Sequence, residues 1–359
     1  MTNWIVPFHR WTPTGNELAA VQGVLASDWL TRGAKCEEFE AAFAAHIGVK
    51  PEQVLAVSSC TAALELAAAL IGTADNDTIY VSPLTFTATA NAFRRFGARI
   101  KFVDVDDNTL CINPALLDRQ HGAIVVAMHY GGYPCDMAEL RKYCKEMEVP
   151  LIEDSAHAIE GEFRGRHCGT IGDFGCFSFH ATKNITTGGE GGALVGGAEH
   201  IARARMLHSH GRKDGVPTEV GYNYRMTDVQ AAIGVEQLAH IGEWEDLRDE
   251  IISHYAEAFD DAGIRRFPKS YPAASKVAPH IFAIRVSNRD KVQQYLTDAG
   301  VETRIHYPPL HLTPAYYTGQ RLPVAEKAAG GLLSLPLYPR MTDEQVEYVI
   351  KAVKGAVAA

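Results

Sequence analysis

Between residues 53 and 153 the chain alternates short strand-like runs with helical patterns, and no other feature restricts its fold as much. The strand-like runs fall at 53–57, 78–81, 99–103, 123–128 and 150–153, and the helical patterns at 61–71, 86–96 and 136–147. Aliphatic strands separated by helices line up as a mainly parallel sheet covered by those helices, an α/β architecture. Beyond Met226, the stretches 228–237 and 243–262 also read as helical, and the second is long and charged enough to join two lobes. A boundary near 240–250 follows. The remainder offers a strand at 280–286, a helix at 290–299, a short strand at 303–306 and a final helix opened by the cap-like Thr342. With 359 residues, 47% of them hydrophobic, the chain can bury a large core; we expect a large lobe over 1–245 and a small α/β lobe over 246–359.

One lysine stands between a buried-strand pattern and a glycine-rich turn. Residues 175–179 alternate small and aromatic side chains, Lys183 follows, and Gly188-Gly189-Glu190-Gly191-Gly192 lets backbone pass close to a ligand. An ammonium at such a strand exit is partly desolvated, which lowers its pKa and frees the amine to attack an aldehyde. Lys183 is therefore a candidate Schiff-base nucleophile, although an ordinary surface lysine beside a flexible loop has the same local sequence.

Three further segments bear on that choice. Residues 149–153 read as a short buried strand that delivers Asp154 and His157 to its carboxyl end, where open α/β sheets place ligands. An aspartate there can hold a pyridine nitrogen protonated, which makes pyridoxal phosphate an electron sink; a helix N-cap is the alternative. Ser58-Ser59-Cys60-Thr61 opens the helical run 62–70, and small hydroxylic residues at a helix start suit either a phosphate or a simple cap. Ser178, five residues before Lys183, would add a hydroxyl to the same phosphate. Phe86, after the strand-like 78–81, would stack on a pyridine ring or sit in the core.

In order and spacing these segments, with Gly221-Tyr222-Asn223-Tyr224-Arg225-Met226-Thr227-Asp228, resemble the sugar aminotransferases of the DegT/DnrJ/EryC1/StrS family. The likeness extends from Trp29-Leu30-Thr31-Arg32-Gly33 to Ser334-Leu335-Pro336-Leu337-Tyr338-Pro339. It implies a fold-type I, pyridoxal-phosphate-dependent enzyme with a mainly parallel seven-stranded sheet. It also implies roles: Lys183 linked to the cofactor, Asp154 on the pyridine nitrogen, His157 near the phenolic oxygen, and Phe86 on the ring. Ser59, Cys60, Thr61 and Ser178 would hold the phosphate, and Asn223 would reach the cofactor of the neighbouring subunit in a homodimer with shared sites. Thr31, His180, Arg225 and His306 would meet substrate. The donor implied is L-glutamate and the acceptor a nucleotide-linked keto sugar; residues 153–158, 223–228 and 306–311 look closest to the branch that aminates C4, with a 3-keto substrate as the alternative.

Two departures from the family pattern stand out: a doubled glycine, Gly188-Gly189, before Glu190, and a short polar connection over 211–219 that is expected to face the partner's active site. Three rivals remain in view. A sister dehydratase carries histidine where this chain has Lys183; a non-catalytic sensor would bind pyridoxal phosphate or a nucleotide sugar without reacting with glutamate. A dinucleotide-binding oxidoreductase would need its glycine fingerprint at the first strand–helix turn, whereas the dense glycine cluster here follows Lys183.

A net charge of −9 argues against a general nucleic-acid binder, leaving Arg32, Arg212, Lys213 and Arg225 as local candidates for an anionic substrate. Seven cysteines without CxxC spacing suggest reduced thiols in a cytoplasmic protein. His208 with His210, and His306 with His311, have no acidic or cysteine partner at a recognised offset, so no metal is expected. The opening Met1 to Pro7 lacks the basic start and apolar core of a signal peptide, and no segment reads as a membrane span.

Overall fold

The computed structural model describes residues 4–119, 121–268 and 272–359; the first three residues of the opening segment lie outside them. Seven strands make the principal sheet: β1 (Val54–Val57), β2 (Thr78–Val81), β3 (Arg99–Phe102), β4 (Ala123–Met128), β5 (Leu151–Asp154), β6 (Phe174–Ser178) and β7 (Gly192–Gly196). Their spatial order is β1-β7-β6-β5-β4-β2-β3. Pairings from β3 through β6 are all parallel, and β7 runs antiparallel to both β6 and β1. The sheet is thus mainly parallel, as expected. β4 and β5 are buried at every position, which is why Ala123–Met128 is a continuous apolar run rather than an alternating one, whereas β5 begins with Leu151 and Ile152 and ends on the buried acids Glu153 and Asp154.

Helices cover both faces. Cys60–Leu70 is capped by Ser59 and buried almost all round, so its alanines pack close to the sheet. Beneath β6 and β7 an aromatic cluster forms from Phe39, Phe43, Phe177 and Phe179, with edge-on ring centroids 5.0–5.4 Å apart. Phe39 and Phe43 belong to the helix Ala34–His46, which sequence patterning did not assign, as it did not assign Glu17–Ala26. Full burial of each phenylalanine is worth about 2–3 kcal/mol, and truncating one to alanine costs about 3–5 kcal/mol.

The 21-residue helix Ile241–Asp261 leads to a second, three-stranded antiparallel sheet of Arg265–Phe267, Phe282–Arg285 and Leu332–Leu335. Helices Arg289–Asp298 and Asp343–Ala358 pack on it, the latter opened by Thr342, whose hydroxyl accepts the Gln345 N–H at 3.3 Å. This region has its own core, including Tyr255, Phe259, Phe282, Leu296 and Val349, and Val6 from the start of the chain joins it. The expected strand at 303–306 reduces to one bridge between Arg304 and Ser334. No helix among the described residues is long and apolar enough to cross a membrane.

Candidate active site

The carboxyl ends of β5 and β6 open into a cavity of about 490 Å³. Its floor is set by Asp154, the last residue of β5, whose carboxylate is buried. Oδ2 accepts the Thr89 hydroxyl at 2.6 Å, while Oδ1 accepts the Ala156 N–H at 3.2 Å and the Cys60 thiol at 3.9 Å. With Thr89 donating to Asp154, the Thr85 hydroxyl 2.7 Å away donates to Thr89. Burial raises the Asp154 pKa, and the Thr89 and Ala156 donors together with Lys183 oppose that rise.

The neighbouring Glu153 fixes how β6 approaches. Its Oε1 accepts the Ile171 and Gly172 N–H groups at 2.6 Å, and Oε2 accepts the Gly169 N–H at 2.8 Å and His129 Nε2–H at 3.1 Å. His129 must carry its proton on Nε2, because Nδ1 accepts the Cys135 N–H at 3.1 Å. The turn into β6 is therefore tied to the end of β5, and Ser178 and Lys183 follow from it.

After Ser178 the chain turns so that the Lys183 N–H reaches the His180 carbonyl at 2.9 Å. Burial of the Lys183 ammonium lowers its pKa to about 8, against the opposing pull of Asp154 and Cys60. Among the described residues its amine makes no hydrogen bond or ion pair. The doubled glycine has a definite course: Gly188 and Gly189 take φ of +85° and +121°, and the Gly189 carbonyl accepts the Ala181 N–H at 2.9 Å. The loop folds back along the segment that carries the lysine.

Opposite Lys183, Ser59 spends its hydroxyl on the Ala62 N–H at 3.1 Å. The Cys60 and Thr61 N–H groups of that first turn have no acceptor within the helix, and the helix dipole makes their surroundings favourable to an anion. A Cβ added to Gly192 would lie 2.5 Å from the Cys60 nitrogen, so only glycine lets β7 pass the helix start.

Histidines line the remaining wall. His157 Nδ1 accepts the Gly131 N–H at 3.2 Å, which leaves the proton on Nε2 for the Tyr307 oxygen at 3.0 Å and frees the Tyr307 hydroxyl hydrogen. Burial, then Lys183, His280 and His306, hold His157 well below its usual pKa. His280 lies 4.4 Å from His157 by ring centroid and donates from Nδ1 to Asn184 Oδ1 at 2.9 Å; Asn184 in turn donates to the buried Glu245. His306 is depressed to about 3 by burial and hydrogen-bonds Ser334 at 2.9 Å, while its carbonyl accepts the Tyr130 hydroxyl.

Of the residues anticipated from sequence, Ser59, Cys60, Thr61, Phe86, Asp154, His157, Ser178, His180, Lys183 and His306 all line this one cavity. Thr31, Asn223 and Arg225 do not. Thr31 and Asn223 are exposed, and Arg225 donates to Ser209 at 3.1 Å.

The sequence profile of the DegT/DnrJ/EryC1/StrS aminotransferase family matches residues 13–354. This chain belongs to that family. It is 34% identical to the dTDP-4-dehydro-2,3,6-trideoxy-D-glucose 4-aminotransferase of Saccharopolyspora spinosa over 95% of this chain and 94% of the relative. The aminotransferase TlmJ from Streptoalloteichus hindustanus superposes with a TM-score of 0.93 at 39% identity, over 98% of this chain and 99% of TlmJ. The putative sugar aminotransferase Spr1654 from Streptococcus pneumoniae, solved in its PLP form, gives 0.91 at 26% identity over 98% of both chains. Members of the DegT/DnrJ/EryC1/StrS family are pyridoxal-phosphate-dependent sugar aminotransferases, and this chain has their fold and their cofactor dependence.

The residues present fit that cofactor. A desolvated amine without a partner among the described residues suits its aldehyde, two N–H groups without an acceptor inside their helix suit its phosphate, and a buried carboxylate suits a ring nitrogen. Phe86 remains 60% exposed on the cavity wall, an aromatic face open to a planar ring. Sequence reasoning missed Thr89, Tyr307 and His280. Thr89 was signalled by its place in the first turn of the helix Thr87–Arg94, four residues after Thr85 in the segment that leads into it, with a single hydroxyl left to reach inward. Tyr307 lies within the 306–311 motif beside His306 but was given no role there, and His280 arrives from the far end of the chain without a local signal.

Proposed function

We propose that the chain transfers the amino group of L-glutamate to the C4 ketone of a nucleotide-linked keto-deoxy sugar, giving 2-oxoglutarate and an amino sugar nucleotide. The observation that carries the transfer is the placement of Lys183 and Asp154 in one cavity below an open helix start. Pyridoxal phosphate, when bound, supplies the aldehyde that exchanges amines and a protonated ring that takes up the electron pair released from a breaking C–H bond. Lys183 would hold the cofactor and, once displaced by donor, its Nζ would take up and return the proton of the donor α-carbon. Asp154 would keep a proton on the ring nitrogen, its carboxylate oriented by Thr89. The Cys60 and Thr61 N–H groups with Ser178 would take the phosphate, Ser59 shaping that turn as its cap. His157, neutral and fixed by Gly131, would orient the Tyr307 hydroxyl toward the ring, and Phe86 would cover its face.

Amination at C4 draws support from the Saccharopolyspora spinosa relative, whose name specifies a 4-aminotransferase, and from the 153–158, 223–228 and 306–311 motifs. His180 and His306 would approach the sugar from the same cavity, while Thr31, Arg225 and Asn223 would act on the cofactor and substrate of a partner subunit in a homodimer. Domains at 1–245 and 246–359 would place this cavity at their junction. All seven cysteines are unpaired and buried, which supports a reducing, cytoplasmic setting.

The decisive measurement is the absorbance spectrum of the protein with pyridoxal phosphate before and after L-glutamate. Conversion of the lysine-bound form to pyridoxamine phosphate is expected; a bound cofactor indifferent to glutamate would overturn the transfer and favour the sensor. Product NMR then reads which carbon carries nitrogen.

A further inference from the structure

Outside the cavity, His46, Glu160 and His167 bring one ligand atom each to within 4.8 Å of one another. They come from separate elements: His46 ends the helix Ala34–His46, Glu160 lies in the segment after β5, and His167 belongs to the short strand Arg166–His167. His46 Nε2 already touches Glu160 Oε1, and the His46 and His167 ring centroids are 5.8 Å apart. His167 Nδ1 is buried without a hydrogen-bond partner among the described residues. We propose that these three side chains form a binding site for a divalent first-row transition ion of the Zn²⁺ type.

The chemistry of the donor set is specific. Two imidazole nitrogens and one carboxylate oxygen suit zinc, cobalt or nickel and are unsuited to calcium or magnesium, which take oxygen ligands. With metal–ligand bonds of about 2.0–2.2 Å, tetrahedral ligand atoms stand about 3.4 Å apart, so small side-chain movements from the observed cluster suffice. A fourth position is left for water. The ion would lie beyond the last turn of Ala34–His46, where the helix dipole favours positive charge. One group competes for the carboxylate: the half-exposed Lys276 Nζ sits 3.0 Å from Glu160 Oε2. The ion would clip the helix end to the Glu162–His167 ribbon, which begins five residues beyond His157. No sequence spacing exposes this triad, because His46 lies 114 residues before Glu160 and joins Glu160 and His167 only through the fold.

The test is titration of the untagged, chelator-stripped holoenzyme with Co²⁺, followed by visible absorption, with metal content measured in parallel. One equivalent bound with the intense bands of tetrahedral cobalt, displaced by Zn²⁺ and lost in His167→Gln, is the expected result. Lys276→Met keeps all three ligands and removes the competing charge, so it should bind Co²⁺ more tightly than the wild type; it also serves if His167→Gln fails to fold. Absence of uptake by the wild type, uptake unchanged by His167→Gln, or no tightening in Lys276→Met would overturn the proposal.

Discussion

The floor and the mouth of the cavity are built differently. At the floor, Asp154, Glu153, Thr89 and His129 are buried and hydrogen-bonded to one another or to backbone of the same chain. The segments expected at the mouth are open: Trp29 is 56% and Val220 88% exposed, and the 211–219 connection folds as a small solvent-facing ribbon, Arg212–Lys213 paired with Val216–Pro217. A floor that one chain completes can hold a cofactor by itself, whereas a mouth with apolar side chains in water calls for covering. Under the proposed function the floor sets the chemistry common to the family, and the mouth sets the acceptor and depends on a second copy.

Removing the floor's reacting group should have the largest effect. Lys183→Ala is expected to lower transamination by about 10³-fold or more, since one amine both holds cofactor and moves the proton; single-turnover conversion with glutamate measures it, and retained turnover would end the proposed mechanism. Asp154→Asn comes next, with a loss of about 10²–10³-fold, the usual consequence of deleting a preorganised electrostatic partner. Cofactor should still bind in that variant, so its absorbance separates a chemical defect from an empty site.

How far these two regions were legible in sequence follows from the range of the contacts that define them. β4 announces itself because burial on both faces demands an unbroken apolar run, and β5 by the short Val149-Pro150-Leu151-Ile152 stretch ahead of its two acids. Asp154 was legible because it ends β5, and Lys183 because it follows the end of β6 by five residues, each within a recognisable local pattern. β7 was not: its Gly192-Ala193-Leu194-Val195-Gly196 reads as a continuation of the glycine loop, and it becomes a strand only by inserting between β1 and β6. The apparent strand at 303–306 failed for the converse reason, having β-like residues but one bridge to pair with. Val6 packs in the core of the C-terminal region through a parallel bridge to Val301, a contact no local pattern encodes. The buried pair Thr89–Asp154 and the partly buried pair Tyr307–His157 are long-range in the same way.

A pH profile sharpens the account of the floor. The Lys183 pKa is lowered to about 8, and only the neutral amine attacks an aldehyde. Capture of pyridoxal phosphate by apoprotein should therefore accelerate about tenfold per pH unit below pH 8 and level off above it. A rate still climbing at pH 10 would mean an ordinary, solvated lysine. Thr89→Val then tests whether Asp154 needs its hydroxyl donor: losing a lowering influence moves the carboxyl pKa upward, and we expect activity to fall about tenfold, most at the acidic end, where Asp154 gains its proton first. A uniform loss across pH would assign Thr89 to packing instead.

The mouth is tested by mixing. If Asn223 serves the partner's cofactor, a dimer of one Lys183→Ala chain and one Asn223→Ala chain contains one site with both residues intact and one with neither. Random reassortment of equal amounts makes about half the dimers mixed, so about a quarter of wild-type activity should return from two preparations that are each impaired. Asn223 is exposed and lies outside the cavity of its own chain, which makes the shared arrangement the geometric expectation. Activity equal to the average of the two parents would mean that each chain completes its own mouth, and the contrast between a self-sufficient floor and a borrowed rim would fail.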